Sequence, residues 1–201
     1  MAFVLTVSLI FGVTLLSQPG LSAGWWWDLW QGLGYAALAA WCYLIVDTGK
    51  GSSKAHLHLS IATYVCLCAH TLGLFISDPT VQQYLAWDGP LYMASGTLSL
   101  LLISVAFILA LPRHRRYWHR GYAEFQRWHR WLAWLALACT LFHVYGSGNY
   151  LGSWGFAVIT CLLIGLIVFH MRRPHYSPTY SSVHLLALPA SLLVFVIARQ
   201  L

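Results

Sequence analysis

The sequence has very little charge and almost no acid. Only 8% of its 201 residues are Asp, Glu, Lys or Arg, and just five are carboxylates. Soluble domains carry about 25% charged residues, so an ordinary soluble fold is excluded. No G-x-G-x-x-G or Walker sequence is present, so nothing marks a dinucleotide or nucleotide phosphate site. A disulfide framework is missing too. Cys42, Cys66, Cys68, Cys139 and Cys161 are odd in number and all fall in apolar runs, where thiols behave as small apolar side chains. The segment Cys66-Leu67-Cys68-Ala69-His70 lacks the C-x-x-C-H spacing of covalent haem attachment.

Apolar residues are abundant, at 59% of the chain, and 11 Trp are present. Trp favours membrane interfaces. Charge-free stretches divide the sequence and predict seven helices, at about 3–18, 29–47, 55–77, 91–111, 127–146, 153–171 and 182–199. Gly146 to Gly152 forms a turn-prone break between the fifth and sixth. The expected fold class is all-α, a polytopic membrane helical bundle. Residues 1–28 form a first helix and loop, and 29–201 form the main domain. A cleaved signal peptide is the rival reading of the first helix and would leave six spans. The segment has no basic residue ahead of its apolar run, which favours a retained helix.

The loops orient this bundle. Lys50 and Lys54 follow the second helix, Arg113, Arg115, Arg116, Arg120 and Arg127 the fourth, and Arg172 and Arg173 the sixth. The alternate loops hold Asp28, Asp78 and Asp88 without Lys or Arg. The positive-inside rule then puts the N-terminus in the cytoplasm, in what we expect to be a bacterial inner membrane. The net charge of +6 reports this orientation, and no nucleic-acid partner is expected. Trp25, Trp26, Trp27 and Trp30 are expected to anchor the outer surface.

Ten His in so apolar a chain require explanation. Ionisable groups inside a bilayer are costly and usually functional. His56 and His70, on the predicted third helix, are 14 residues apart, and so are His129 and His143 on the fifth. Fourteen residues are close to four turns and rise about 21 Å. Each pair therefore shares one helix face at two depths. The third and fifth helices run in the same direction, so His56 and His129 lie toward the cytoplasm, and His70 and His143 toward the outside. Two imidazoles at each depth suit two non-covalent, bis-His haem b groups stacked across the bilayer. His58 lies about 120° off that face. Arg127 and Arg130 bracket His129 and are expected to meet the propionates of the inner haem. His114, His119, His170, His175 and His184 carry no assigned role.

The residues from Phe125 through Trp128-His129-Arg130-Trp131 to Phe142-His143-Val144 resemble the fifth helix of the ferric reductase-like transmembrane domain family. That family holds ferric reductases, NADPH oxidases and the haem-binding subunit of a periplasmic methionine sulfoxide reductase system. His56 and His70 match its third helix, and Arg172-Arg173-Pro174-His175-Tyr176 with Val183-His184 resembles the join after its sixth. The resemblance spans about residues 30–190. It implies two b-type haems at His56, His129, His70 and His143, and electron flow from a cytoplasmic flavin to an outer acceptor protein or small molecule. Many members continue into an FAD and NAD(P)H module. The chain ends at Leu201, so FAD is expected on a separate flavoprotein partner, with a membrane quinol as the other donor. The expectation is a transmembrane electron-transfer cytochrome, an oxidoreductase component in contact with membrane lipid. A haem-bearing accessory subunit of a larger redox complex and a quinol-oxidising cytochrome b-like subunit are the alternatives. A haem-free proton-relay transporter is disfavoured because Asp47 is the only carboxylate near a predicted helix interior, and it sits at an end.

Overall fold

The computed structural model describes residues 2–17, 23–46, 53–84, 86, 88–111, 121–148, 151–172 and 186–201. These residues form eight helices and no strand. They are α1 (Ala2–Ser17), α2 (Trp25–Val46), α3 (Ser53–Ser77), α4 (Pro79–Tyr84), α5 (Leu91–Ala110), α6 (Tyr122–Ser147), α7 (Ser153–Arg172) and α8 (Ala187–Gln200). The seven expected segments are all helical, and the predicted fifth helix is α6. The short α4 was not expected. His114, His119, His175 and His184 lie outside the described residues.

Proline and glycine set several of the ends. Leu111 takes an extended conformation (φ −61°, ψ 137°) and closes α5, as a residue preceding a proline prefers. Gly148 closes α6 in the left-handed region at φ 63°, with its N–H donating to the Val144 carbonyl at 3.3 Å. Glycine meets that geometry without steric cost.

The chain divides into two compact units, residues 1–78 with 149–201, and residues 79–148. In the first, α2 packs against α1, α3, α7 and α8. Every residue from Tyr35 to Tyr43 is accordingly buried. Alanines at 36, 37, 39 and 40 let neighbours approach α2 from all sides. The first helix belongs to this core: Phe3 meets Tyr43 edge-on at 5.0 Å, and Phe11 meets Phe195 at 5.6 Å. Asp28 was expected in a loop. It lies in the first turn of α2, where the helix dipole favours an anion. Its carboxylate is fully buried, accepts a hydrogen bond from Gln200 Nε2 at 2.7 Å, and lies 3.8 Å from Arg199 Nε. The start of α2 is thereby tied to the end of α8.

The second unit is the antiparallel pair α5 and α6, with α4 ahead of it. Ser99 Oγ donates to the Ala136 carbonyl at 2.8 Å and accepts from Thr140 Oγ1 at 2.7 Å. Elsewhere hydroxyls turn back onto their own helices: Ser60 to the His56 carbonyl, Thr63 to Leu59, and Ser104 to Leu100. These bonds satisfy polar groups without using the outer surface.

That outer surface is apolar. Leu57, Ile61, Val65, Leu72 and Ile76 are exposed on α3, and Leu98, Leu101, Val105 and Ile108 on α5. Lys54–Ser77 and Leu91–Ala110 are long and apolar enough to cross a membrane, while Phe3–Ser17, Ser153–Gly165 and Ala187–Gln200 are shorter apolar stretches. Apolar side chains facing outward on helices of this length suit a lipid environment.

Removing one member of a buried polar cluster leaves its partners desolvated and uncompensated. Asp28→Ala should therefore cost about 3 kcal/mol in detergent. Asp28→Asn, which still accepts from Gln200, should cost less. Thermal unfolding of the two variants beside the parent protein measures the difference.

Candidate functional site

The four expected ligands fall two to each unit. His56 and His70 are on α3, and His129 and His143 on α6. All four are half-buried, whereas His58 is exposed. The exposure of His58 agrees with its position off the shared face.

His70 packs against α2. Its Nδ1 lies 2.8 Å from the Trp30 carbonyl oxygen. A carbonyl can only accept, so Nδ1 carries the proton and Nε2 keeps its lone pair. The bond also directs Nε2 away from α2. Room for the ring comes from Gly34, one turn beyond Trp30. A methyl group there would stand 2.9 Å from His70 Nδ1 and Cε1. Gly73, one turn beyond His70, makes room in the other direction, because a methyl there would run into the Trp30 indole. Trp30 Nε1 donates to Ser77 Oγ at 3.0 Å, and its ring stacks on Trp26 with centroids 5.9 Å apart.

The second unit repeats this arrangement. His143 Nδ1 donates to the Tyr92 carbonyl at 3.0 Å. A methyl at Gly96 would stand 2.7 Å from that Nδ1, and one at Gly146 would strike Tyr92 Cβ. In both units an aromatic residue precedes a glycine by four positions on one helix, and a histidine precedes a glycine by three on the next: Trp30 and Gly34 with His70 and Gly73, then Tyr92 and Gly96 with His143 and Gly146. The earlier histidine stands 14 residues ahead in each. This recurrence does not show as a sequence repeat. Only the two histidines and two glycines recur, scattered over two helices, while the residues between them differ.

The earlier histidines, His56 and His129, lie nearer the start of each helix. The Nδ1 atoms of His56 and His129 are shut off from solvent. His129 stacks on Phe125, one turn before it, with centroids 5.2 Å apart and planes 28° from parallel. The buried Phe125 ring thus limits rotation of that imidazole.

Arg127 and Arg130 are both exposed. Arg127 is two residues from His129, about 200° around the helix, and Arg130 is one residue away, about 100°. The two guanidiniums line a recess with Trp131 and Trp134 that does not include His129.

The donor set fits haem. Among the described residues no three His, Cys, Asp or Glu side chains come together to hold a bare metal ion. A haem iron takes four nitrogens from its macrocycle and asks the protein for one or two more. A ligating histidine typically donates its second ring nitrogen to a carbonyl or carboxylate, which fixes tautomer and ring orientation and raises ligand basicity. His70 and His143 each do so.

Overpacking a tight contact typically costs about 1–3 kcal/mol. Gly34→Ala and Gly96→Ala should therefore each destabilise by that amount and displace the adjacent imidazole. Gly12→Ala, where nothing lies within 4 Å, should be neutral or slightly stabilising. Thermal unfolding of the three variants makes the comparison.

No protein-family model, curated protein or solved structure matches the chain.

Proposed function

We propose that this protein is a multi-pass membrane cytochrome that carries electrons between the two faces of a bilayer. The twice-built bond from imidazole Nδ1 to a neighbouring carbonyl, beside a glycine that admits the ring, carries this reading. In it seven of the helices span the membrane, α4 being too short, with the N-terminus inside. His56 and His129 would hold one haem toward the cytoplasm, and His70 and His143 a second toward the outside.

When bound, each haem b would supply a one-electron carrier, and ligation by two histidines would favour electron transfer over oxygen binding. The chain's own residues do the rest. Trp30 and Tyr92 hold the protonated nitrogens of the two outer ligands through their carbonyls. Gly34 and Gly96 let the edges of those rings come close to the neighbouring helix. Phe125 orients His129. The surrounding Leu, Ile and Val side chains exclude water, and exclusion of polar solvent is one means of tuning a redox potential. The resemblance to the ferric reductase-like family supports the same assignment. Within it the donor is a separate cytoplasmic flavoprotein or a quinol, and the acceptor is an outer-side protein or small molecule.

The test is the reduced-minus-oxidised absorption spectrum of purified, haem-supplied protein, with a pyridine haemochrome count. Two low-spin b-type haems per chain are expected. His143→Ala should retain one haem and His58→Ala both. A folded, haem-supplied protein that binds none would overturn the proposal.

A further inference from the structure

The first turns of α6 carry Arg127 and Arg130 along with a single carboxylate, Glu124. Neither Arg127 nor Arg130 forms an ion pair with a described carboxylate. Both line a recess of about 460 Å³, with Gln126, Trp131 and Trp134 among its walls. A second recess, of about 570 Å³, shares Arg127, Trp131 and Trp134 with the first. Its remaining walls are Trp128, Leu132 and Leu135, and it is lined almost entirely by carbon. The two recesses overlap along α6 from Arg127 to Trp134 and lie side by side around it, the polar one reaching back to Ala123 and the apolar one on to Leu135. From Ala123 to Leu135 the distance is about 18 Å at 1.5 Å per residue.

We propose that this two-part groove binds an anionic phospholipid. The phosphate sits against Arg127 and Arg130, with the Gln126 amide as a further donor. An acyl chain lies along Trp128, Leu132 and Leu135. Two guanidiniums match phosphate oxygens in charge and in donor geometry. Tryptophan beside them suits the boundary between headgroup and hydrocarbon, where its ring is wet at one edge and apolar over the rest. The charge also discriminates between occupants. A zwitterionic lipid brings a cation that two arginines repel. A quinol giving up electrons must also release protons, and the walls of both recesses hold no carboxylate or imidazole to accept them.

This inference rests on the reading that α6 lies in a membrane, and the experiment separates the two. Purified protein is equilibrated with vesicles of equal phosphatidylglycerol and phosphatidylcholine and extracted again. Retained lipid and haem are then counted in the same sample. A phosphatidylglycerol preference of about tenfold or more is expected, since each arginine near an anionic surface contributes a several-fold gain. The double variant Arg127→Gln with Arg130→Gln should lose that preference and keep both haems. The charge-conserving pair Arg127→Lys with Arg130→Lys should fold and retain most of it. An unchanged preference in the glutamine variant overturns the lipid site. So does loss of one haem from that variant, which would assign the arginines to haem propionates. A wild-type protein without haem that still selects phosphatidylglycerol refutes the cytochrome reading and leaves the lipid site standing.

Discussion

A hydrogen bond from an imidazole to a backbone carbonyl on the neighbouring helix organises each half of the candidate site. It occurs between His70 and Trp30 and again between His143 and Tyr92. The carbonyl of a helical residue normally serves the helix itself, four residues on. Here the same oxygen also receives a ring nitrogen, which brings the imidazole edge hard against the helix. Only a residue without a side chain tolerates that approach, and Gly34 and Gly96 occupy the positions concerned. Helix packing, tautomer and the direction of the free nitrogen follow from one contact. If any of the three partners changes shape, all three properties change together.

The rest of the architecture keeps polarity away from the outer surface. Serines and threonines bond their own helix or, at Ser99, the helix opposite. Asp28, Arg199 and Gln200 meet one another in the interior of their unit. Leucine, isoleucine and valine make up most of the large side chains that face outward on α3 and α5. The exception is α6, whose first turns present arginine and tryptophan together, and there the surface forms a recess instead of a smooth apolar wall. Unpaired charge and exposed apolar area on one helix are costly in either water or hydrocarbon. They are compatible at a boundary between the two.

Much of this was legible in the sequence. Apolar run length located seven of the eight helices, because the bilayer dimension and the helical rise set the same number of residues. The 14-residue spacing put His56 with His70 and His129 with His143 on common faces, and helical periodicity alone set His58 apart. The short α4 has too few residues to show a period. Arg127 and Arg130 adjoin His129 in sequence, but helical residues one and two apart diverge by about 100° and 200°, so only the structure could show which walls they line.

The sequence by itself determined the helical class, the shared helix faces of the paired histidines, and the absence of a nucleotide motif or disulfide framework. Each follows from local spacing and composition, which do not depend on what a helix packs against. Tertiary structure decided which carbonyl meets which imidazole, why glycine stands at 34, 73, 96 and 146, and that Asp28 is buried with the end of α8. Those contacts join residues between 36 and 172 positions apart. No local pattern marks both ends of such a contact, and packing alone selects the partner.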